Sequence, residues 1–177
     1  MQSEQNFFDL QPNLKGSLLE LSPLLPDDFD ELYKVASDPF IWEQHPANNR
    51  HERKIFEKFF SDALDSGGAL IVTDLKNNDV IGSSRYYGYD SKKSEIEIGW
   101  TFLARTYWGG VYNKEMKKLM LDHAFKYVNS VIFKVGVNNI RSQTAVLKIG
   151  GILSGETLDD AGNKSLIYQI LKSNYNK

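Results

Sequence analysis

At 177 residues, with 41% hydrophobic and 25% charged residues, the chain has the size and composition of one globular domain that can bury a core without staples. A formal net charge of −2 excludes a surface-wide attraction to nucleic acid or anionic membrane, and the absence of cysteine excludes disulfide frameworks, thiolate metal sites and cysteine nucleophiles. Met1-Gln2-Ser3-Glu4-Gln5 does not read as a secretory leader and no segment reaches membrane-span length, so a cytoplasmic protein with no nucleic-acid and no membrane partner is expected.

In chain order, residues 1–12 read as a flexible N-terminal segment of a single domain spanning 1–177. A first strand is predicted over 17–21, ahead of Pro23 and Pro26. Pro26-Asp27-Asp28 starts a helix, with acidic residues where the dipole favours them. Phe29, Leu32, Tyr33 and Ala36 share one face of it, and Asp38-Pro39 ends it. A loop carrying Trp42, Glu43 and His45 leads to Asn49 and Glu52, spaced as a capping pair. The second helix presents Phe56, Phe59, Phe60 and Ala63 and is closed by Gly67-Gly68. Strands predicted over 69–73, 80–89 and 95–103, with turns at 77–79 and 90–93, suit an antiparallel meander.

After Gly109-Gly110 comes a long helix whose inward stripe is Met116, Leu119, Met120, His123 and Tyr127, with Lys114, Lys117 and Lys118 mostly off it. His123 therefore reads as a core residue. A strand over 131–137, a short helix over 139–149 stopped by Gly150-Gly151, and strands near 152–156 and 166–171 complete the chain. This order supports one α/β sandwich with a mixed sheet. It does not fit a doubly wound nucleotide fold, because helices and strands do not alternate regularly.

The stretch over 95–115 carries the chemistry. It reads as a strand, a short glycine-containing loop and a helix. The first turn of a helix holds N–H groups without intrahelical partners at the positive end of the dipole. A glycine pair just before it lets an anion approach the backbone, so the junction can hold a pyrophosphate without net positive charge.

Glu97-Ile98-Gly99-Trp100 followed by Tyr107-Trp108-Gly109-Gly110 resembles the strand and pyrophosphate loop of GNAT acetyltransferases, especially the ribosomal-protein-acetylating (Rim-type) group. Asp38-Pro39-Phe40-Ile41-Trp42, Val80-Ile81-Gly82 and Asn139-Ile140-Arg141-Ser142 resemble other segments of that group, in the same order, over nearly the whole chain. The resemblance implies a single-domain α/β fold with a mixed, mostly antiparallel sheet flanked by helices on both faces. It also implies transfer of an acetyl group from acetyl-CoA to a primary amine by direct attack, without a metal. Val111 stands where the family usually has glycine, and Asn113 where it has glycine or alanine.

By the same resemblance, acetyl-CoA is expected to contact Phe102, Leu103, Ala104, Gly109, Gly110, Val111, Tyr112, Asn113, Asn139 and Ser142. Asn139 also reads as a helix N-cap. The acceptor is expected near Trp42, Glu43, His45, Arg85 and Tyr87, and is either a protein or peptide N-terminal amine or a small-molecule amine. The family's thiol-protonating tyrosine would fall near Val146, which cannot donate a proton, so the general acid is unassigned. Strand alternation puts Glu95, Glu97 and Gly99 on one face and Ile96, Ile98 and Trp100 on the other. The resemblance points to Glu97 as the base for the acceptor amine, against a solvated face or an ion pair with Arg85. Histidines at 45, 51 and 123 are too widely spaced to indicate a metal site. A non-catalytic acyl-CoA-binding or interaction module is the alternative, and a homodimer is compatible with the sequence.

Overall fold

A computed structural model describes residues 7–175. Its strands are β1 (Leu14–Lys15), β2 (Leu19–Pro23), β3 (Ala69–Asp74), β4 (Val80–Asp90), β5 (Glu95–Leu103), β6 (Ser130–Gly136), β7 (Ile152–Leu158) and β8 (Lys164–Leu171). Its helices are α1 (Phe29–Ala36), α2 (Arg53–Asp65), α3 (Val111–Ala124), α4 (Ile140–Lys148) and a short α5 (Lys172–Tyr175). The strands form one sheet in the order β1-β2-β3-β4-β5-β6-β8-β7. All neighbours are antiparallel except β5 and β6. This is the mixed, mostly antiparallel α/β sheet expected from the sequence.

Alternation along the strands divides the apolar residues between two layers. Leu70, Val72, Ile96, Ile98 and Leu103 pack with Met116, Met120, Leu121 and Ala124 of α3 and Val146 of α4. Ala69, Ile71 and Phe102 pack with Leu32 and Ala36 of α1 and Phe56, Phe59, Phe60 and Ala63 of α2. α1 and α2 bury the stripes their spacing predicts, whereas α3 buries Met116, Met120 and His123 of its expected stripe together with Lys117, Leu121 and Ala124, and leaves Leu119 and Tyr127 half-buried. Helices cover both faces of the sheet.

Four local features depart from the sequence reading. First, β5 contains a bulge: Phe102 is opposite Ser83 and Gly99 opposite Arg85, so Trp100 and Thr101 together face Ser84. Trp100 takes up the extra residue at φ +51°. It therefore packs on the α1/α2 layer instead of sharing a face with Ile96 and Ile98. Second, α2 starts at Arg53, with Glu52 as an N-cap that makes no side-chain cap bond. The expected Asn49–Glu52 pair forms a turn instead, closed by the Glu52 N–H on the Asn49 carbonyl at 3.0 Å. Third, Lys117 is 5% exposed. Fourth, residues 1–6 of the expected flexible segment lie outside the described residues, whereas Phe8 is buried, edge-on to Tyr86 and stacked on Tyr127.

β5 and β6 pair over three residues only, from Glu95 with Ser130 to Glu97 with Ile132. Beyond Glu97 the strands separate, because β6 continues along β8 while β5 continues along β4. The parting opens a cleft in the sheet between Ile98–Leu103 and Phe133–Gly136. Among the described residues, no helix is long and apolar enough to cross a membrane.

Candidate functional site

A cavity occupies this cleft. β5 contributes Gly99 to Leu103, β6 contributes Phe133 to Gly136, and α3 contributes Asn113 and Lys117. Asn139, Ser142 and Val146 line it from the α4 side, and Trp42, His45 and Arg50 from the α1–α2 loop. Gly82 makes the β4–β5 approach possible, since a Cβ there would lie 2.0 Å from the Phe102 carbonyl oxygen.

At one end of the cavity is the start of α3. Gly110 is its N-cap, without a side chain to satisfy the first N–H groups, and the first turn holds no acidic residue. Gly109 turns the chain at φ +68°, and a Cβ there would meet nothing within 4 Å. Of the two departures from glycine, Val111 is exposed and Asn113 lines the cavity. Between them the Tyr112 hydroxyl donates to Asp74 at 3.1 Å, which turns that side chain away from the space before the helix. The start of α4 is different. Asn139 Oδ1 accepts the Ser142 N–H at 3.1 Å, and Gln44 Oε1 accepts the Arg141 N–H at 3.1 Å. The N-terminus of α4 is thus capped by protein, and that of α3 is left open to an anion.

The loop between α1 and α2 closes over the cavity. Arg141 holds it there by donating to the Ile41 carbonyl at 2.7 Å and stacking on Trp108 with Cζ 3.9 Å from the ring centre. Trp42 is buried, donates Nε1–H to the Ala36 carbonyl at 2.7 Å and packs on Phe102. His45 accepts the Ala47 N–H at Nδ1. Burial, followed by the neighbouring Arg50 charge, pushes its imidazole down to about 3, so the ring is neutral.

Lys117 lines the same cavity without a carboxylate. Its ammonium reaches the hydroxyls of Thr101 at 2.5 Å and Ser84 at 3.3 Å, and burial pulls it down to about 7. The Val146 side chain adds no proton donor. Tyr107 lines the cavity, but its hydroxyl donates to Asp74 at 2.9 Å.

Of the residues expected from the sequence, Phe102, Leu103, Gly109, Asn113, Asn139, Ser142, Trp42 and His45 meet at this cavity. Gly110, Val111 and Tyr112 adjoin it as the first turn of α3. Ala104 does not reach it: its N–H is taken by the Ile81 carbonyl at 2.8 Å. Glu43 is exposed outside the cavity. Tyr87 is exposed and packs edge-on against Trp100. Arg85 is buried beneath Trp100, with Cζ 4.5 Å from the ring centre.

Glu97 is buried and paired with Lys134 at 2.8 Å, not with Arg85. One of its carboxylate oxygens lies over Gly99, which lines the cavity, so the carboxylate sits at the cavity's edge. Arg50, Gln44, Lys117 and Arg141 were not anticipated. Long polar side chains read as surface in a sequence, and only the fold shows that these four turn inward. Among the described residues, no cluster of three or more His, Cys, Asp or Glu is arranged to hold a metal.

Residues 19–152 match the family model described as Acetyltransferase (GNAT) domain. A comparison with curated proteins finds no match. Among solved structures, the chain is similar to a GCN5-related N-acetyltransferase from Brucella melitensis, 19% identical over 94% of this chain and 81% of that one, with a TM-score of 0.79. It is similar to Mycobacterium smegmatis RimJ in complex with CoA-disulfide, 16% identical over 94% and 88%, with a TM-score of 0.69. A spermidine N-acetyltransferase from Vibrio cholerae in complex with CoA and spermine is 16% identical over 92% and 100%, with a TM-score of 0.68. At these identities the likeness is one of fold.

Proposed function

We propose that this chain, which belongs to the GNAT acetyltransferase family, transfers the acetyl group of acetyl-CoA directly to an amine. The observation that carries the proposal is the cleft between β5 and β6, which runs from the uncapped start of α3 to the bulge at Trp100. Acetyl-CoA supplies an activated acyl group, and its pyrophosphate is matched by the N–H groups of Val111, Tyr112 and Asn113. The pantetheine arm runs along Phe102 and Leu103, with Asn139 and Ser142 opposite. Asn139 commits Oδ1 to its own helix, which leaves Nδ2 for the ligand.

The amine enters from the side of the α1–α2 loop and meets the thioester near the bulge. There Glu97 takes its proton, directly or through one water, from its place over Gly99. The Lys134 ammonium at 2.8 Å holds that carboxylate in position. Trp42 and the neutral His45 form the wall over the reacting groups and exclude bulk water, which strengthens the electrostatic interactions within.

Acetyl-CoA should raise the melting temperature of the protein, as a ligand selective for the folded state must. At 100 times its dissociation constant the gain is about 2.7 kcal/mol. An unchanged melting temperature at millimolar acetyl-CoA would remove the basis of this proposal.

A further inference from the structure

Beside the acceptor end of the cavity the protein gathers donors for which it supplies no acceptor. His45 accepts the Ala47 N–H at Nδ1 (2.9 Å), so the single proton of its neutral ring is on Nε2. Arg50 Nη1 lies 3.2 Å from that Nε2. A guanidinium can only donate, so two N–H donors converge with nothing between them to receive either. Behind them, Arg85 is 4% exposed, and its Nε and Nη2 have no hydrogen-bond partner.

What surrounds the two guanidiniums is aromatic. Arg50 Cζ lies 4.7 Å from the Phe59 ring centre and Arg85 Cζ lies 5.7 Å from the same ring. Nearby carboxylates are engaged elsewhere, Glu97 with Lys134 and Asp62 with Lys58 at 3.1 Å. Among the described residues, no carboxylate lies within ion-pair distance of Arg50 or Arg85. Burial, and for Arg50 the neighbouring Arg85 charge, brings each guanidinium down to about 10. Arg50 is half-buried and Arg85 is buried with two unpartnered donors. Buried charged donors left unpaired are costly, and an anion beside this cluster would lower that cost.

The place of this cluster separates it from the phosphates of acetyl-CoA. Arg85 is opposite Gly99, on the far side of the bulge, whereas Gly82, three residues earlier on β4, is opposite Leu103, nearer the start of α3.

Resting on the acetyl-transfer reading above, we propose that the acceptor is a small molecule carrying a carboxylate as well as its amine, in the manner of an amino acid, and that His45 and Arg50 bind the carboxylate with Arg85 behind them. The carboxylate oxygens receive the His45 Nε2–H and an Arg50 N–H, which turns a contact between two donors into two hydrogen bonds. Negative charge also relieves the repulsion between the two guanidiniums. A polyamine or an aminoglycoside would bring further positive charge to this cluster and is disfavoured by the same electrostatics.

The test uses matched acceptors on the full-length protein: amino acids and their carboxamides, lysine with lysinamide and β-alanine with β-alaninamide, and spermidine as a cationic control. The expected kcat/KM is higher for the acids by roughly tenfold or more, since an amide leaves the site's charged donors without an anion. Arg50→Gln should erase that preference and leave acetyl-CoA affinity within about twofold. Arg85→Met, which keeps the stacked volume, should reduce it. Melting curves with each acid and its amide read the same selectivity without turnover, so the result does not depend on any variant folding. Equal use of acid and amide, or preference for spermidine, would overturn the inference and leave acetyl transfer standing. A loss of acetyl-CoA affinity in Arg50→Gln would overturn it by assigning the anion to the cofactor. No acetylation of any amine, together with no selective stabilisation, would overturn both readings.

Discussion

Lys117 offers a quantitative test of how the cavity is built. Its ammonium is buried on α3 against two hydroxyls and the Phe133 ring, with Nζ 5.8 Å from the ring centre. Above about pH 10.5 the amine is neutral in both folded and unfolded chains, and burial carries no charge penalty. As the pH falls, the unfolded chain takes up a proton and the folded chain does not, until the folded value of about 7 is reached. Stability is therefore lost at about 1.4 kcal/mol per pH unit across that window and is level below it, a total of about 5 kcal/mol at most. Lys117→Met keeps all but the terminal atom of the side chain's length and removes the charge. The Ser84 and Thr101 hydroxyls still bond one another at 2.8 Å. The variant should be more stable than the wild type by about 2–4 kcal/mol at pH 7. The gap should narrow by about 1.4 kcal/mol per unit between pH 7.5 and 9.5. Urea unfolding at a series of pH values measures both. A gap that does not change with pH, or a less stable variant throughout, would show that the ammonium is not held as described.

Three further outcomes are expected. Gly109→Val forces a β-branched residue to φ +68°, costs roughly 1–2 kcal/mol of stability and places its side chain where the phosphates are proposed to approach. Calorimetric titration should find acetyl-CoA affinity reduced by about tenfold, and wild-type affinity in a folded variant would reject the placement. Asn139→Ala removes the bond to the Ser142 N–H, so it should lose about 1 kcal/mol of stability together with acetyl-CoA affinity; loss of stability alone would leave Asn139 only its capping role. Glu97→Gln should lower turnover by about a hundredfold, most at low to neutral pH, while acetyl-CoA still binds. A wild-type pH–rate profile in that variant would take the base role away from Glu97.

Element order was legible because the punctuation is strong. Pro26, Asp38-Pro39, Gly67-Gly68, Gly109-Gly110 and Gly150-Gly151 each fall at or beside an observed boundary. The bulge was not legible, because Trp100 is a bulky residue at positive φ, and tertiary packing on Arg85 and Tyr87 overrides its local preference. Lys117 escaped notice because periodicity treats every lysine as surface, and nothing local marks one that ends on buried hydroxyls. Phe8 belongs to the same class: its burial depends on Tyr86, His123 and Tyr127, over 70 residues away. The proposed phosphate end of the site corresponds to a local strand–glycine–helix pattern in the sequence. At the proposed acceptor end the sequence reading named His45 and Arg85 but not Arg50, whose place beside His45 is made only when the α1–α2 loop folds over the sheet.

The most direct measurement is the stoichiometry of transfer. Purified protein is given acetyl-CoA and a panel of amines that includes amino acids, and free CoA thiol is followed beside mass-spectrometric detection of N-acetylated product. One thiol should be released per acetylated amine, with release abolished by omitting either substrate and lowered in Glu97→Gln. Binding of acetyl-CoA with neither thiol nor acetylated amine formed across the panel would contradict it, as would thiol release that yields acetate and no amide.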